Sequence, residues 1–140
     1  MNRRVLLDAG PLVALLNRRD KYHEWAKLQW ARAEPPLITC EAVLSEACFL
    51  LRAAPGGSTA VFELLRRHVV EMPFRLADHL EPVARLLRKY ANLPMSLADG
   101  CLVCMAELNP ESTVMTLDRD FRLYRKRGRQ VLPLIMPETA

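Results

Sequence analysis

The chain of 140 residues is the size of one ordinary domain, long enough to bury about two-thirds of the surface that it exposes when unfolded. It is 51% hydrophobic but only 6% aromatic, so its core must be built from leucine, valine and alanine. The net charge of +4 and the pI near 9.1 point towards a polyanionic partner, and the absence of any repeat, low-complexity tract or long linker excludes a repeat architecture. We therefore expect a single domain over residues 1–140.

The opening stretch RRVLLDAGPLVALL (residues 3–16) joins basic residues to an apolar run, as a secretory signal does. However, Asp8 splits the apolar run, Gly10 and Pro11 break it, and no small-residue cleavage site follows. An aspartate at the centre of an inserted helix costs about 2.5 to 3.5 kcal/mol. No other segment has an uncharged apolar run of about 18 residues, so we expect no membrane span and a cytoplasmic protein.

The first half of the chain predicts two short strands among four helices. The strands are apolar runs bounded by turn signals, residues 5–8 and 37–39. The helices are bounded by caps and by proline or glycine, residues 11–17, 21–33, 40–53 and 58–68. Asp20 is the predicted N-cap of the second helix, and Thr39 is that of the third.

The second half continues the alternation, with strands at residues 69–72, 113–117 and 130–135 and helices at residues 78–91, 97–108 and 121–126. Ser96 is the predicted cap of the helix at 97–108, and Pro133 weakens the last strand. Short apolar strands that alternate with helices predict an α/β fold, a parallel sheet of about five short strands flanked by helices on both faces. Ligands of such sheets bind beyond the carboxyl ends of the strands.

The four cysteines are Cys40, Cys48, Cys101 and Cys104, and the last two have the CxxC spacing of zinc and redox sites. They lie within a helical pattern, without a knuckle-forming turn and without a second close pair. Free cysteine is among the most buried residue types. We therefore predict small buried apolar side chains, with a zinc site as the alternative.

Basic residues cluster near the end of the chain. The run RDFRLYRKRGR at residues 119–129 holds six of the twenty lysines and arginines. It is either a surface that contacts phosphates or a solvated helix face, and charge alone does not separate the two.

Four acidic residues stand alone in apolar surroundings. Asp8 and Asp118 end the predicted strands at 5–8 and 113–117, so their carboxylates can share a ligand if the two strands are neighbours about 4.8 Å apart. Glu46 is the only charge in AVLSEACFLL, and Asp99 is the only charge in LPMSLADGCLVCMA. A charge in apolar surroundings is expensive unless it is paired or binds a metal.

Each of these acids also has a local structural explanation. Asp8 and Asp118 suit turns, and Asp99 follows Ser96 by the three residues of a capping box. Glu46 suits the edge of an amphipathic helix. Taken together, however, four elements each contribute one acid, and such all-oxygen ligands suit Mg²⁺ or Mn²⁺ rather than zinc. Carboxylates that hold such ions beside a basic surface are typical of phosphodiester hydrolysis, so we interpret these four acids as metal ligands.

These segments resemble the PIN-domain ribonucleases and, within them, the VapC-like toxins of toxin–antitoxin pairs. The similarity lies in VLLDAGPLVALLN, which carries Asp8, LITCEAVLSEACFLL, which carries Glu46, LPMSLADGCLVCMAELN, which carries Asp99, and TVMTLDRDF, which carries Asp118. It extends over nearly the whole chain, and the last two segments are the most specific.

The resemblance implies a single PIN-like domain whose parallel sheet brings the four acids into one pocket that binds Mg²⁺ or Mn²⁺. It also implies an RNA substrate, cleaved by a metal-dependent endoribonuclease, frequent homodimers and an antitoxin protein that blocks the groove. Basic residues such as Arg119, Arg122 and Arg125 would then contact the RNA phosphates.

The sequence departs from the family pattern directly after the first acid, where many relatives have Thr or Ser and this chain has Ala9. A hydroxyl that orients the acid or a water molecule is missing there, and Thr116 is a candidate to supply one. Asp120 either joins the site or caps the following short helix. Asp20 and His23 resemble a family pairing, but we interpret them as a helix cap and a surface histidine.

Two other functions compete with the nuclease. A non-catalytic RNA-binding or interaction module would keep the fold, although such a descendant is expected to lose some of the four acids. A phosphotransferase with Asp8 as its aspartyl nucleophile would present a second acid two residues later, where this chain has Gly10.

Overall fold

The computed structural model describes residues 3–138 and is organised around one five-stranded sheet whose pairings are all parallel. The predicted domain also includes residues 1, 2, 139 and 140, which lie outside the described residues. The sheet order is β3-β2-β1-β4-β7, and these strands are β1 (Arg4–Leu7), β2 (Leu37–Ile38), β3 (Val70–Glu71), β4 (Ser112–Met115) and β7 (Leu134–Ile135). The α/β class predicted from the sequence is confirmed.

The central pair, β1 and β4, fixes the register of the sheet. Leu7 lies opposite Met115, and Leu6 lies between Val114 on one side and Ile38 of β2 on the other. These side chains are fully or almost fully buried because both faces of the central strands are covered. Such burial explains why the strands read as continuous apolar runs rather than as alternating ones.

Between residues 3 and 138, six α-helices surround this sheet: α1 (Ala9–Leu16), α2 (His23–Arg32), α3 (Glu41–Leu50), α4 (Gly57–Arg66), α5 (Leu80–Lys89) and α6 (Leu97–Leu108). Helix α6 packs against β1, β4, α3 and α5, and every residue from Ala98 to Ala106 is buried. This position accounts for its nearly uninterrupted apolar sequence. Ser96 caps it as predicted, since its hydroxyl accepts the Asp99 N–H at 3.0 Å.

The predicted helix at residues 121–126 is wrong. A 3₁₀ helix (Arg119–Arg122) is followed instead by β5 (Arg125–Lys126), which pairs antiparallel with β6 (Gln130–Val131). Arg127 and Gly128 take positive φ angles of 51° and 81°, and these turn the chain back into a hairpin. The predicted strand at 130–135 is divided into β6 and β7 because Pro133 has no N–H to donate to a ladder.

Two predicted helix starts are also corrected. The Thr39 hydroxyl does not cap α3 but donates to the Leu7 carbonyl at 2.8 Å, and Cys40 is the N-cap. Asp20 accepts the Tyr22 N–H at 2.8 Å in a turn, so α2 begins at His23.

The predicted helix at 78–91 begins instead as a separate 3₁₀ turn (Leu76–Asp78), and α5 follows from Leu80. The N–H of Asp78 bonds the Arg75 carbonyl, and that of His79 bonds the Leu76 carbonyl, which closes the turn before α5 starts.

Helices α1 and α2 pack against each other, and His23 joins them through a 2.7 Å contact between its Nδ1 and the Ala14 carbonyl. Cys40, Cys101 and Cys104 are buried free thiols, as predicted for small apolar side chains, and Cys48 is partly buried. Among residues 3–138, no helix is both long and apolar enough to cross a membrane.

We predict that Thr39→Val destabilises the protein by about 1 kcal/mol, because valine keeps the shape but cannot donate to the Leu7 carbonyl at the end of β1. The free energy of unfolding from urea titration measures the change. Thr59→Val, at an exposed position of α4, is the matched control and should change stability by less than about 0.5 kcal/mol. Equal effects in the two variants would contradict a structural role for the Thr39 hydroxyl.

Candidate active site

Asp8 lies directly after β1, at the carboxyl edge of the sheet. Only 7% of its surface is exposed, and its backbone N–H continues the sheet by donating to the Met115 carbonyl at 3.0 Å. Its Oδ1 accepts the Ala9 N–H at 2.8 Å, at the start of α1, and its Oδ2 accepts the hydroxyl of Thr116 at 2.6 Å. Asp8 therefore caps a helix and faces the end of the neighbouring strand.

Thr116 joins the two acids at the strand ends. Its hydroxyl donates to Asp8 and accepts the Asp118 N–H at 3.0 Å. The sequence pattern made Thr116 a candidate for the hydroxyl that Ala9 lacks, and the structure places its hydroxyl on the Asp8 carboxylate. The parallel pairing of β1 with β4 brings these groups together.

Asp118 begins the 3₁₀ helix that follows β4. Its Oδ1 accepts the Asp120 N–H at 2.9 Å, so Asp118 and not Asp120 is the cap of this short helix. Asp118 as a residue is only partly buried.

Asp99 lies in the first turn of α6 and is 8% exposed. Its Oδ2 accepts the hydroxyl of Tyr124 at 2.9 Å, and its N–H is held by Ser96. Tyr124 is fully buried among aromatic rings: it makes edge contacts with Phe121 and Tyr90, each at 5.1 Å between centroids.

Glu46 differs from the other three acids because it lies on the exposed side of α3. Electrostatics still link it to the site: desolvation of its carboxylate and the charges of Asp99 and Asp118 raise the pKa of Glu46. Helix α3 packs against α6, which carries Asp99.

Burial and the charges of neighbouring acids raise the pKa values of Asp8, Glu46 and Asp99. Burial is the main cause that raises the pKa of Asp8 from 3.8 to about 6, with smaller contributions from the charges of Asp99 and Glu46, while Thr116 and Ala9 act in the opposite direction. Burial and the charge of Asp118 raise the pKa of Asp99, against the hydrogen bonds from Tyr124 and Ser96. Such mutual repulsion shows that the carboxylates share one electrostatic environment.

The chemistry of this donor set fits a divalent cation, because carboxylate oxygens are the ligands that Mg²⁺ and Mn²⁺ prefer and a cation would relieve the repulsion. The positions of these side chains fit a metal ion less well than their chemistry does. Within residues 3–138, no group of three or more His, Cys, Asp or Glu side chains lies close enough together to hold a metal ion. The acids therefore form an electrostatic cluster without a preformed ligand cage.

The basic run continues from the site onto the hairpin. Arg119 and Arg122 are exposed on the 3₁₀ helix, whereas the guanidinium of Arg125 donates to the carbonyls of Arg122 and Tyr124 at 2.8 and 3.0 Å. The hairpin lies against the end of α5, where the Lys89 ammonium contacts the Gly128 carbonyl at 3.5 Å. Arg125 thus holds its own loop, while Arg119 and Arg122 face solvent.

Tyr124 is the site residue that the sequence pattern missed. The predicted helix at 121–126 placed it within the basic run, which the sequence allows to be either a phosphate-contacting surface or a solvated helix face. Its signal in the sequence is an aromatic pair, Phe121 and Tyr124, within a run that is otherwise dominated by charge. An aromatic side chain in such a run needs an apolar environment for its ring and a partner for its hydroxyl.

Known proteins share this fold. Residues 5–127 match the PIN domain family. The chain is also similar to the crystal structure of VapC20 from Mycobacterium tuberculosis, a toxin that cleaves the sarcin-ricin loop, with a TM-score of 0.74 and 24% sequence identity over 83% of this chain and 91% of that one. A search of curated proteins finds no match. With the family match covering most of the chain, and with the parallel sheet that carries Asp8 and Asp118 at its carboxyl edge, this protein belongs to the PIN domain family.

Proposed function

We propose that this protein is a metal-dependent endoribonuclease that hydrolyses RNA phosphodiester bonds. The observation that carries the proposal is Asp8: a carboxylate buried at the end of β1, whose pKa is raised to about 6 by burial and by Asp99 and Glu46. A structural turn residue needs no such environment. Perturbed carboxylates that gather at the carboxyl edge of a parallel sheet are typical of a catalytic site.

In this proposal, Asp8, Glu46, Asp99 and Asp118 would hold Mg²⁺ or Mn²⁺. The bound ion would supply a nucleophilic hydroxide from water and stabilise the charge on the phosphate and on the leaving oxygen. Thr116 holds the Asp8 carboxylate in place, and the buried setting of Asp8 and Asp99 keeps their charges from being screened by water.

Exposed arginines beside the acids would position the RNA. Arg119 and Arg122 follow Asp118 closely and face solvent, so they can contact phosphates without disturbing the fold. Arg125 was also a predicted phosphate contact, but its guanidinium already bonds two carbonyls of its own loop. Its replacement would therefore alter the loop as well as the charge.

A toxin role in a type II toxin–antitoxin system extends the proposal. It is supported by the structural similarity to VapC20, which is itself an RNA-cleaving toxin, and by the resemblance of the acidic motifs. A cognate antitoxin would then block the carboxylate cluster, since a guanidinium forms strong bidentate bonds with carboxylates. We further propose that the protein forms a homodimer and is located in the cytoplasm.

A non-catalytic RNA-binding module is the second candidate. The observation that favours it is the lack of a preformed group of three ligands among the described residues. Dependence of cleavage on a divalent ion separates the two candidates.

We predict that the protein cleaves RNA with Mg²⁺ or Mn²⁺ and loses this activity with a chelator, and that Asp8→Asn cleaves at least about 100-fold more slowly. Asparagine keeps the shape of Asp8: its Oδ1 can accept the Ala9 N–H, and its NH2 can donate to the Thr116 oxygen in place of the bond that Thr116 now donates, so the main change is the lost charge. Gel analysis of a defined RNA measures it, with Asp78→Asn on the exposed 3₁₀ turn as the control variant. Cleavage that survives chelation would remove the metal mechanism, and a wild type that binds RNA without cutting it would favour the second candidate.

We predict that acid pH stabilises the metal-free wild type relative to Asp8→Asn. The folded Asp8 carboxylate has a pKa of about 6 against an ordinary value of 3.8, so its ionisation weakens the fold as the pH rises through this interval. This loss of folding free energy is on the order of 3 kcal/mol, from the difference between the two pKa values. It is fully present above about pH 7 and is relieved as the pH falls from about 6 towards about 4.

Melting curves in chelator at about pH 7.5 and about pH 5 test this difference. Asp8→Asn should melt above wild type at the higher pH, and its advantage should shrink at the lower pH. An advantage that does not change with pH, or a mutant that melts lower at both, would identify Asp8 as a structural cap alone.

We predict that replacing Arg119 and Arg122 by glutamine weakens RNA binding and reduces its salt dependence, by about one counterion for each phosphate that the variant no longer neutralises. Filter binding in chelator at several salt concentrations measures the slope of the logarithm of the binding constant against the logarithm of the salt concentration. Arg66 at the end of α4 and Arg67, the C-cap residue after it, both contact Glu63 and are the matched pair for a control with the same change in net charge. The same slope in both double variants would place the RNA surface elsewhere.

A further inference from the structure

We propose that Tyr124 is the positioning residue of the metal site: its buried hydroxyl fixes the Asp99 carboxylate in the orientation that binds the divalent ion. This inference rests on the proposed function and adds a residue that the acidic motifs do not include. Tyr124 is a positioning residue because its hydroxyl contacts the Asp99 carboxylate and would act on the ion only through that carboxylate.

The first support is the burial of the pair. Tyr124 is 0% exposed, and its hydroxyl donates to Asp99 Oδ2 at 2.9 Å. A buried tyrosine hydroxyl without an acceptor is left unsatisfied, which is costly, so the bond restrains the Asp99 side chain. The N–H of Asp99 is held by Ser96 at the same time, so backbone and side chain are both fixed.

The second support is the chemistry of the donor. A tyrosine hydroxyl is neutral and occupies one lone pair of one carboxylate oxygen, which leaves Asp99 its negative charge and its remaining lone pairs. An arginine or lysine in the same place would neutralise the carboxylate and compete with a cation. A neutral, buried donor is therefore suited to a carboxylate that must be oriented and still bind a metal ion.

The third support is the place of Tyr124 in the chain. The segment that starts at Asp118 turns through the 3₁₀ helix and returns to Asp99 within six residues, and the Tyr124 N–H bonds the Asp120 carbonyl at 3.2 Å. One short segment therefore links the acid at the end of β4 to the acid on α6. This link would restrain the position of Asp99 relative to Asp118, and restrained ligand positions favour metal binding.

Tyr90 provides a matched control within the same cluster. Its ring packs against Tyr124 at 5.1 Å, but its hydroxyl accepts the Arg125 N–H at 2.9 Å rather than donating to Asp99. Tyr90→Phe and Tyr124→Phe each remove one hydroxyl from the same aromatic cluster, and only the second removes a bond to Asp99.

The test is Mn²⁺ binding by isothermal titration calorimetry on the full chain, followed by kinetics of RNA cleavage. Tyr124→Phe should weaken Mn²⁺ binding by about 10- to 100-fold, the usual effect of removing a group that orients a ligand. Its kcat should fall at saturating Mn²⁺, while KM for RNA stays within about twofold. Tyr90→Phe should bind Mn²⁺ within about twofold of wild type. In an Asp99→Asn background, adding Tyr124→Phe should weaken Mn²⁺ binding no further.

Unchanged Mn²⁺ affinity in Tyr124→Phe overturns the inference, as does an equal weakening in Tyr90→Phe, which would assign the effect to packing. Melting curves in chelator show whether the variants fold. A weaker Mn²⁺ affinity in the double variant than in Asp99→Asn also contradicts the inference. A wild type that binds no Mn²⁺ refutes the proposed metal site itself, an outcome distinct from all of these.

Discussion

The parallel pairing of β1 with β4 is the constraint on which the site depends. Because Leu7 lies opposite Met115, Asp8 and Thr116 lie side by side after the ends of the two strands. The hydrogen bond of 2.6 Å between their side chains joins the chain segments at that edge of the sheet. A shift of the register by one residue would turn every side chain of β1 to the opposite face. The core of Leu6, Leu7 and Met115 therefore determines where the first acid lies.

The same arrangement weakens the metal-free protein. Burial of Asp8 and Asp99 beside Glu46 and Asp118 raises the pKa of the first two, which means that their charged forms are held at a cost in stability. Hydrogen bonds from Thr116 and Tyr124 reduce this cost without supplying a positive charge. In the proposed function, such a site would keep its affinity for a cation, because these neutral donors do not neutralise the acids.

Local sequence rules account for part of each acid's setting as well. Asp8 and Asp118, for which the sequence suggests turns, cap the elements that follow them, and Ser96 caps α6 as predicted. Capping and metal binding are compatible, since a carboxylate has more lone pairs than a cap occupies. The structural explanation of each acid therefore does not exclude the functional explanation that we propose for the group.

The α/β class, the positions of most strands and helices and the acids at the ends of β1 and β4 were determined by the sequence itself, because apolar periodicity, turn residues and caps act over a few neighbouring positions. The hairpin at β5 and β6, the role of the Thr39 hydroxyl and the bond between Tyr124 and Asp99 were decided by the tertiary structure. Each of these joins residues far apart in the chain or depends on a turn that follows Tyr124. The aromatic pair Phe121 and Tyr124 indicates only that part of the run at 119–129 is buried. The partner of the Tyr124 hydroxyl and the second ring against it, Asp99 and Tyr90, lie far away in the chain, so the packed structure alone supplies them.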